Sequence, residues 1–113
     1  MPTNSREKGK RFERLLAHKF EEYGYDAHRT QQYCGNTGDA ADIQGLPFIH
    51  CEAKFVEQAR IYDFLDQAVR DAEKNGRIPT VFYKKSRKDI VVMQYFDDWM
   101  RMYQIYEKSR GTE

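Results

Sequence analysis

Apolar residues near the start of the chain recur at steps of three and four, the spacing that places side chains on one face of an α-helix. Ser5 can cap the N-terminus of such a helix, and Gly24 follows the stripe where helices commonly end. The pattern therefore predicts a first helix over residues 5–23. The stripe consists of Phe12, Leu15, Leu16, Phe20 and Tyr23.

The next part of the chain reads as strands and turns. Residues 25–32 are predicted to form a polar strand. Residues 33–40 are predicted to form a loop, because they carry two glycines, an asparagine and an aspartate. Two further strands are predicted over 41–44 and 48–55, and the sequence Gly45-Leu46-Pro47 between them favours a tight hairpin.

The second half of the chain adds two helices and two strands. A second apolar stripe at helical spacing predicts a helix over residues 60–75. Strands predicted over 78–83 and 90–95 flank a basic turn, and a third helix is predicted to begin near Asp97. The resulting order, α-β-β-β-α-β-β-α, predicts an α/β fold in which helices flank one mixed sheet.

The length and charge of the chain limit what its surface can do. A chain of 113 residues fits a single domain, expected to span 1–113 with loose ends at 1–5 and 108–113. The net charge is only +1, so any basic surface for nucleic acid must be local. Two basic runs are candidates for DNA phosphate contacts: Lys8, Lys10 and Arg11 in the first, and Lys84, Lys85, Arg87 and Lys88 in the second.

The two cysteines, Cys34 and Cys51, lack the spacing of a disulfide framework or a zinc site. Cys51 lies in an apolar strand pattern and is expected to be a core residue. The N-terminus has no apolar signal core, and no apolar run approaches the length of a membrane span. We therefore expect a protein of the reducing cytoplasm without a membrane partner.

The strand predicted over 48–55 separates two kinds of side chain. His50, Glu52 and Lys54 alternate onto one face, and the opposite face is apolar. Asp42 lies ten residues before Glu52, across the predicted hairpin. The two carboxylates can then lie on adjacent strands, with their Cβ atoms about 5 Å apart. Such a pair can share Mg²⁺ or Mn²⁺, and without the ion their repulsion should raise a carboxyl pKa.

Lys54 and Glu13 extend this candidate site. Lys54 can position an attacking water or offset the charge that develops on a phosphate. Glu13 lies at the edge of the first apolar stripe, where a carboxylate needs a partner such as a metal ion or Lys54. The alternative is a chance surface pattern, because glutamate and lysine two residues apart are common. The short hairpin, the clean alternation and the inward Glu13 favour an active site.

The combination of Asp42 with Glu52-Ala53-Lys54 resembles the PD-(D/E)XK nuclease superfamily. The segment KGKRFERLL, which contains Glu13, is similar to the archaeal-type Holliday junction resolvases and their phage relatives. The resemblance implies a restriction-endonuclease-like α-β-β-β-α-β core over residues 8–95. It also implies that Asp42 and Glu52 bind the metal, that Lys54 is the catalytic lysine, and that Glu13 completes the metal shell, often through water.

Other positions match the family pattern less closely. Gln67 corresponds to a polar position that relatives often place near the site, and an ordinary surface glutamine is the alternative. Ala41 stands where the family name has proline, which the family tolerates. The loop serine of the resolvases has two candidate replacements, Thr30 and Thr37, so junction specificity is less supported than nuclease chemistry. Asp39 could assist the metal or simply form a turn.

These observations predict a Mg²⁺-dependent DNA endonuclease of a bacterial or phage-infected cell, with Holliday junctions as one substrate. No small-molecule cofactor is expected. A resolvase makes two symmetric cuts, so a twofold homodimer is expected, with the aromatic residues of the third helix as its candidate interface. Two alternatives remain: a nuclease for flap or single-stranded DNA, and a catalytically silent DNA-binding module of the same fold.

Overall fold

The computed structural model describes residues 5–30 and 41–111. Within these two ranges, three helices and five strands follow one another in the predicted order. The helices are α1 (Ser5–Glu22), α2 (Ile61–Ala72) and α3 (Phe96–Arg110). The strands are β1 (His28–Arg29), β2 (Ile43–Gln44), β3 (Ile49–Phe55), β4 (Ile78–Lys84) and β5 (Val91–Met93).

Several predicted features fall outside these residues. The loop over 33–40, with Cys34, Thr37 and Asp39, lies outside the described part of the chain. The same holds for the end of the predicted strand at 31–32 and for the chain ends at 1–4 and 112–113.

The five strands form one mixed sheet in the order β1-β2-β3-β4-β5. Neighbouring strands are antiparallel except β3 and β4, which pair in parallel along their whole length. Parallel neighbours need a crossover connection, and α2 provides it. The predicted α/β fold with one mixed sheet and flanking helices is confirmed.

The apolar core is divided between the two faces of this sheet. On one face, Phe12 of α1 packs with Cys51 of β3 and Phe82 of β4. On the other face, Ala68 of α2 packs with Val81 of β4. The central strands are therefore covered on both sides. As a result, the polar face of β3 lies beneath α2 instead of in open solvent.

The turn between β2 and β3 fits closely against the chain that enters β1. Gly45 has a φ of +110°, and a Cβ at this position would lie 2.8 Å from the Cα of Ala27 and collide with the backbone of Asp26. Only glycine combines this φ with this approach. Phe48, in the same turn, accepts a hydrogen bond on its carbonyl from the N–H of Ile78 at 2.9 Å. This bond precedes the first pair of the β3–β4 ladder, Ile49 with Ile78, so the turn is attached to the start of β4.

The structure differs from the sequence patterns mainly at element ends and on helix surfaces. Within the described residues, β1 has only two residues, and α2 ends at Ala72, three residues before its predicted end. Residues 108–110, which were expected to be loose, form the last turn of α3. Parts of the predicted stripes of the first two helices are exposed within the described residues: Leu15 and Tyr23 in the first stripe, and Ile61 and Val69 in the second. None of the helices in the described ranges has both the length and the apolar character to cross a membrane.

Candidate active site

Glu52 lies at the centre of β3, level with Val81 of β4 and only 1% exposed. A buried carboxyl is costly unless it has hydrogen-bond partners. Its Oε1 lies 2.8 Å from Nε2 of His50, which precedes it by two residues on the same face of the strand. Glu52 also forms hydrogen bonds with the carboxyls of Asp42 and Asp71. Its side chain is therefore held from three directions.

Asp42 comes immediately before β2, and the hairpin brings it beside Glu52 as predicted. Its N–H donates to the carbonyl of Cys51 at 2.9 Å. Its Oδ2 accepts a hydrogen bond from the N–H of Ala53 at 2.8 Å. Because Cys51 and Ala53 are the two chain neighbours of Glu52, these bonds fix Asp42 relative to Glu52.

Both carboxyls resist ionisation, chiefly because they are buried. Burial raises the pKa of Asp42 to about 7, and the charge of Glu52 is the second cause. Burial raises the pKa of Glu52 to about 8, and the hydrogen bond with Asp71 is the second cause. A rise in one carboxyl pKa was expected from repulsion between the two acids; here both pKa values are raised, and burial is the main cause. A site that disfavours two negative charges in this way is suited to a cation.

Lys54 lies two residues after Glu52 and is held by α2. Its Nζ donates a hydrogen bond to Oε1 of Gln67 at 2.9 Å and lies 5.5 Å from the centre of the Phe64 ring. Gln67, for which an ordinary surface position was the alternative, therefore contacts the candidate site. Four residues further along α2, Asp71 contacts Glu52. Four residues of a helix span about 6 Å and two residues of a strand span about 6.6 Å. The spacing of Gln67 and Asp71 on α2 therefore matches the spacing of Lys54 and Glu52 on β3.

Glu13 lies at the edge of this cluster. Its Oε1 accepts a hydrogen bond from Nε of Arg29 in β1 at 2.8 Å. Burial raises the pKa of Glu13, while the hydrogen bond from Arg29 lowers it. The charge of Asp42 raises it further, so Glu13 is within electrostatic reach of Asp42. The pairing with Arg29 was missed, because nothing in the local pattern of β1 pointed to α1.

One group of possible metal ligands differs from the predicted one. Within residues 5–30 and 41–111, the ligand atoms of His50, Glu52 and Asp71 all lie within 4.8 Å of one another. This group shares only Glu52 with the predicted metal ligands. The sequence pattern placed His50 on the polar face of the strand without assigning it a ligand role, and it did not indicate Asp71. The one signal that could have found Asp71 was its spacing of four residues from Gln67 on a helix.

Comparison with known proteins supplies the family. A family model described as "Phage putative PDDEXK endonuclease" matches residues 4–112. The chain belongs to this PD-(D/E)XK endonuclease family. No curated protein matches it significantly. Among solved structures, Archaeoglobus fulgidus Hjc, a Holliday junction resolvase from an archaeal hyperthermophile, is similar with a TM-score of 0.58 and 24% identity. The match covers 77% of this chain and 72% of that chain, and it shows a shared fold.

In this PD-(D/E)XK endonuclease, the two predicted basic runs meet at one aromatic ring. Lys8 of α1 and Lys84 of β4 each place their Nζ atom 5.1 Å from the centre of the Phe55 ring. Phe55 directly follows Lys54 in β3, but its ring packs against Phe12 of α1 on the opposite face of the sheet. The two ammonium groups therefore lie near the C-terminal end of β3, on the α1 side of the sheet. The remaining predicted DNA-binding residues are exposed or half-exposed: Lys10, Arg11, Lys85, Arg87 and Lys88.

The basic turn of the endonuclease is attached to the chain that leaves β3. Oε2 of Glu57 accepts hydrogen bonds from the N–H of Ser86 at 3.1 Å and from its hydroxyl at 2.7 Å. The hydroxyl of Tyr83 donates to the carbonyl of Val56 at 2.9 Å. These bonds give the basic turn a defined position relative to Lys54.

The endonuclease also presents an apolar surface on α3. All fifteen residues of this helix are described, and none of them is buried. Trp99 and Tyr103 stack with ring centres 5.2 Å apart, yet they remain 50% and 44% exposed. A groove of about 380 Å³ lies between α3 and the sheet, with Phe82 and Val92 among its lining residues. The aromatic residues of α3 are therefore not part of the core of the single chain.

Proposed function

We propose that this protein acts as a single domain of residues 1–113 and is a divalent-metal-dependent DNA endonuclease that hydrolyses phosphodiester bonds. Its proposed site consists of Asp42, Glu52 and Lys54. The observation that carries the proposal is the hydrogen-bonded pair of carboxyls, in which Glu52 is buried and Asp42 half-buried, with the ammonium group of Lys54 two residues after Glu52. Adjacent buried acids destabilise a fold unless they are protonated or neutralised by a cation. Membership of an endonuclease family supports the nuclease chemistry.

Mg²⁺ is the proposed ion, and Mn²⁺ is expected to replace it. The donor set fits, because Mg²⁺ prefers oxygen ligands and binds proteins through one or two carboxylates while keeping several waters. Asp42 and Glu52 would hold the ion. When bound, it would lower the pKa of an attacking water and offset charge on the scissile phosphate.

Lys54 is proposed as the catalytic lysine. An ammonium group has three N–H donors, and Gln67 accepts one of them. Two donors remain for an attacking water and for a phosphate oxygen. Because Gln67 is fixed on α2, it holds the Lys54 ammonium in place before the substrate arrives, which is the condition for effective electrostatic stabilisation.

Glu13 is proposed to complete the metal shell through a water molecule. Its distance from the centre of the site fits this outer role, since Asp42 affects it through charge alone. The hydrogen bond from Arg29 restrains its side chain and compensates part of its charge. Removal of Arg29 should therefore weaken the contribution of Glu13 without removing the carboxyl.

DNA is the proposed substrate, and its backbone is proposed to pass over the basic surface beside Phe55. Lys8 and Lys84 approach this ring from separate parts of the chain, so together they can contact neighbouring phosphates. Further phosphate contacts are proposed for the exposed basic residues of both runs: Lys10, Arg11, Lys85, Arg87 and Lys88. Such contacts release counterions, so affinity should fall steeply with salt.

Branched DNA and a twofold homodimer are proposed because the fold is shared with a Holliday junction resolvase. Two symmetric cuts require two active sites related by a twofold axis. The exposed aromatic surface of α3, centred on Trp99 and Tyr103, is the proposed interface. Sedimentation equilibrium should show a dimer for the natural chain and a monomer for Trp99→Asp. A natural chain that remains monomeric at micromolar concentration would exclude the homodimer.

A cleavage assay on duplex, flap, single-stranded and four-way DNA tests the proposal directly. Mg²⁺ should permit cutting, EDTA should abolish it, and preferential cutting of four-way DNA would support the resolvase assignment. Asp42→Asn should remain folded and lose cleavage, whereas Asp63→Asn, an exposed aspartate of α2, should cut normally. If folded natural protein cuts none of these DNAs with Mg²⁺ or Mn²⁺, the silent-module alternative replaces the proposed function.

A further inference from the structure

His50 is a fully buried imidazole in the middle of the domain, with 0% of its surface exposed. Burying a polar ring in this way costs free energy unless its nitrogen atoms have partners. Nε2 of His50 lies 2.8 Å from Oε1 of Glu52, whose side chain is also buried. The two side chains are therefore a matched pair in the interior, next to the proposed metal-binding carboxyls.

The extended backbone of β3 determines that His50 and Glu52 are neighbours. Residues two apart on a strand share a face, so His50 and Glu52 must lie side by side as long as β3 is extended. A carboxylate that accepts a hydrogen bond at Oε1 loses freedom to rotate about its terminal bond. For an ionised Glu52, Nε2 of His50 must carry the proton and act as the donor.

Asp71 is the third residue in contact with the side chain of Glu52, after His50 and Asp42. It comes from α2, four residues after Gln67, and forms a hydrogen bond with Glu52. The crossover makes α2 run opposite to β3, so the earlier helix residue meets Lys54 and the later one meets Glu52. One helix thus places a polar partner on each of the two site residues of the strand.

We propose that His50 is a positioning residue: it orients the Glu52 carboxylate toward Asp42, and Asp71 limits the movement of Glu52 from the side of α2. The proposal rests on the proposed function, in which Glu52 is a metal ligand. His50 and Asp71 act on the metal only through Glu52. The direct contact of 2.8 Å between Nε2 and Oε1 favours a hydrogen bond over a shared ion in this pocket.

Partners that orient a metal ligand typically affect metal affinity by about 10- to 100-fold. Calorimetric titration of Mn²⁺ into the protein measures the metal affinity without any DNA. His50→Leu removes the donor and should weaken Mn²⁺ binding by about 10- to 100-fold. His50→Gln keeps an N–H at the end of a side chain of similar reach and should bind Mn²⁺ nearly as tightly as the natural protein. If His50→Leu does not fold, His50→Phe, which keeps a planar ring, takes its place.

Thr80→Val provides the matched control. Thr80 is 2% exposed, lies on β4 level with Cys51, and donates a hydrogen bond to the carbonyl of Ile78 at 3.1 Å. Its replacement also removes a buried polar group, but from the face of the sheet opposite to Glu52. Thermal unfolding should show a loss of stability in both variants, and only the His50 variant should lose Mn²⁺ affinity.

The outcomes separate the two proposals. Absence of Mn²⁺ binding by the natural protein overturns the metal-dependent function and the role of His50 with it. Equal Mn²⁺ affinity in the natural protein and His50→Leu overturns the positioning role alone, as does an equal loss in Thr80→Val. A drop in the number of bound ions in both His50→Gln and Asp71→Asn also overturns it, because these residues would then bind an ion themselves. Weak binding by His50→Leu with recovery in His50→Gln supports the proposal.

Discussion

Replacement of Lys54 by methionine isolates the contribution of its ammonium group. Methionine keeps an unbranched apolar stem that can still lie against Phe64, but it removes the charge and the donor to Gln67. The fold should persist, because Lys54 is only half-buried and a single hydrogen bond contributes about 1 kcal/mol to stability. The variant therefore tests the chemistry of the site and leaves the core intact.

The loss should appear mainly in the rate of cleavage. A preorganised hydrogen-bond donor that points at the charge developing in the transition state increases the reaction rate by about 10²–10³, which corresponds to about 2.7–4 kcal/mol of activation free energy. Lys54 meets the structural condition, since Gln67 holds its Nζ at 2.9 Å beside the carboxyl pair. We expect kcat to fall by about 10²–10³, with little change in DNA affinity, because the basic residues around Phe55 are unaltered.

Single-turnover cleavage at saturating DNA and Mg²⁺ measures this rate. Lys19→Met is the matched control, because Lys19 is an exposed lysine of α1 outside both basic runs. Circular dichroism and thermal unfolding confirm that both variants are folded. A folded Lys54→Met that cuts DNA at the natural rate would refute the catalytic assignment of Lys54.

The remaining predictions concern charge and backbone. The folded pKa values of Asp42 and Glu52, about 7 and about 8, lie above their usual values of 3.8 and 4.5, so the folded protein retains protons that the unfolded chain loses. In metal-free protein, the stabilisation from these two protonated carboxyls should be fully present below about pH 4 and lost as the pH rises through 7 to 8. Each titrating carboxyl should lower the free energy of unfolding by about 1.4 kcal/mol per pH unit. Urea unfolding should therefore give a lower free energy of unfolding at pH 8 than at pH 6. Lys84→Gln should lower the slope of log affinity against log salt by about 0.9 if Lys84 contacts one phosphate, while Lys74→Gln should not change it. Gly45→Ala should destabilise the fold more than Gly24→Ala. Both glycines have a positive φ, which costs about 1–2 kcal/mol for alanine, but only Gly45 is closely packed. Equal losses of stability in the two variants would contradict the packing argument.

The order of elements and the central pair of carboxyls could be predicted because both depend on local patterns. Helix and strand periods are properties of short segments, and a tight turn around Gly45 makes neighbours of the strands it joins. The alternation of β3 put Glu52 and Lys54 on one face, and the short hairpin put Asp42 beside Glu52. Segment ends were less predictable, since they depend on where a packing partner stops.

The partners of these residues were decided only by the tertiary structure. Asp71 and Gln67 reach Glu52 and Lys54 because the β3–β4 crossover places α2 over β3 at a particular offset, and no local pattern encodes that offset. Lys8 and Lys84 are far apart in the sequence and meet only because α1 and the end of β4 both approach Phe55.

The exposed aromatic face of α3 is a second feature whose packing could not be predicted from the local sequence. Its aromatic residues have the spacing of a buried helix face, yet within the described structure no element of the chain covers them. Periodicity reports that a face is apolar, which is a property of the segment. What that face packs against depends on the arrangement of the other elements, and that is settled only when the whole chain, or its assembly, has folded.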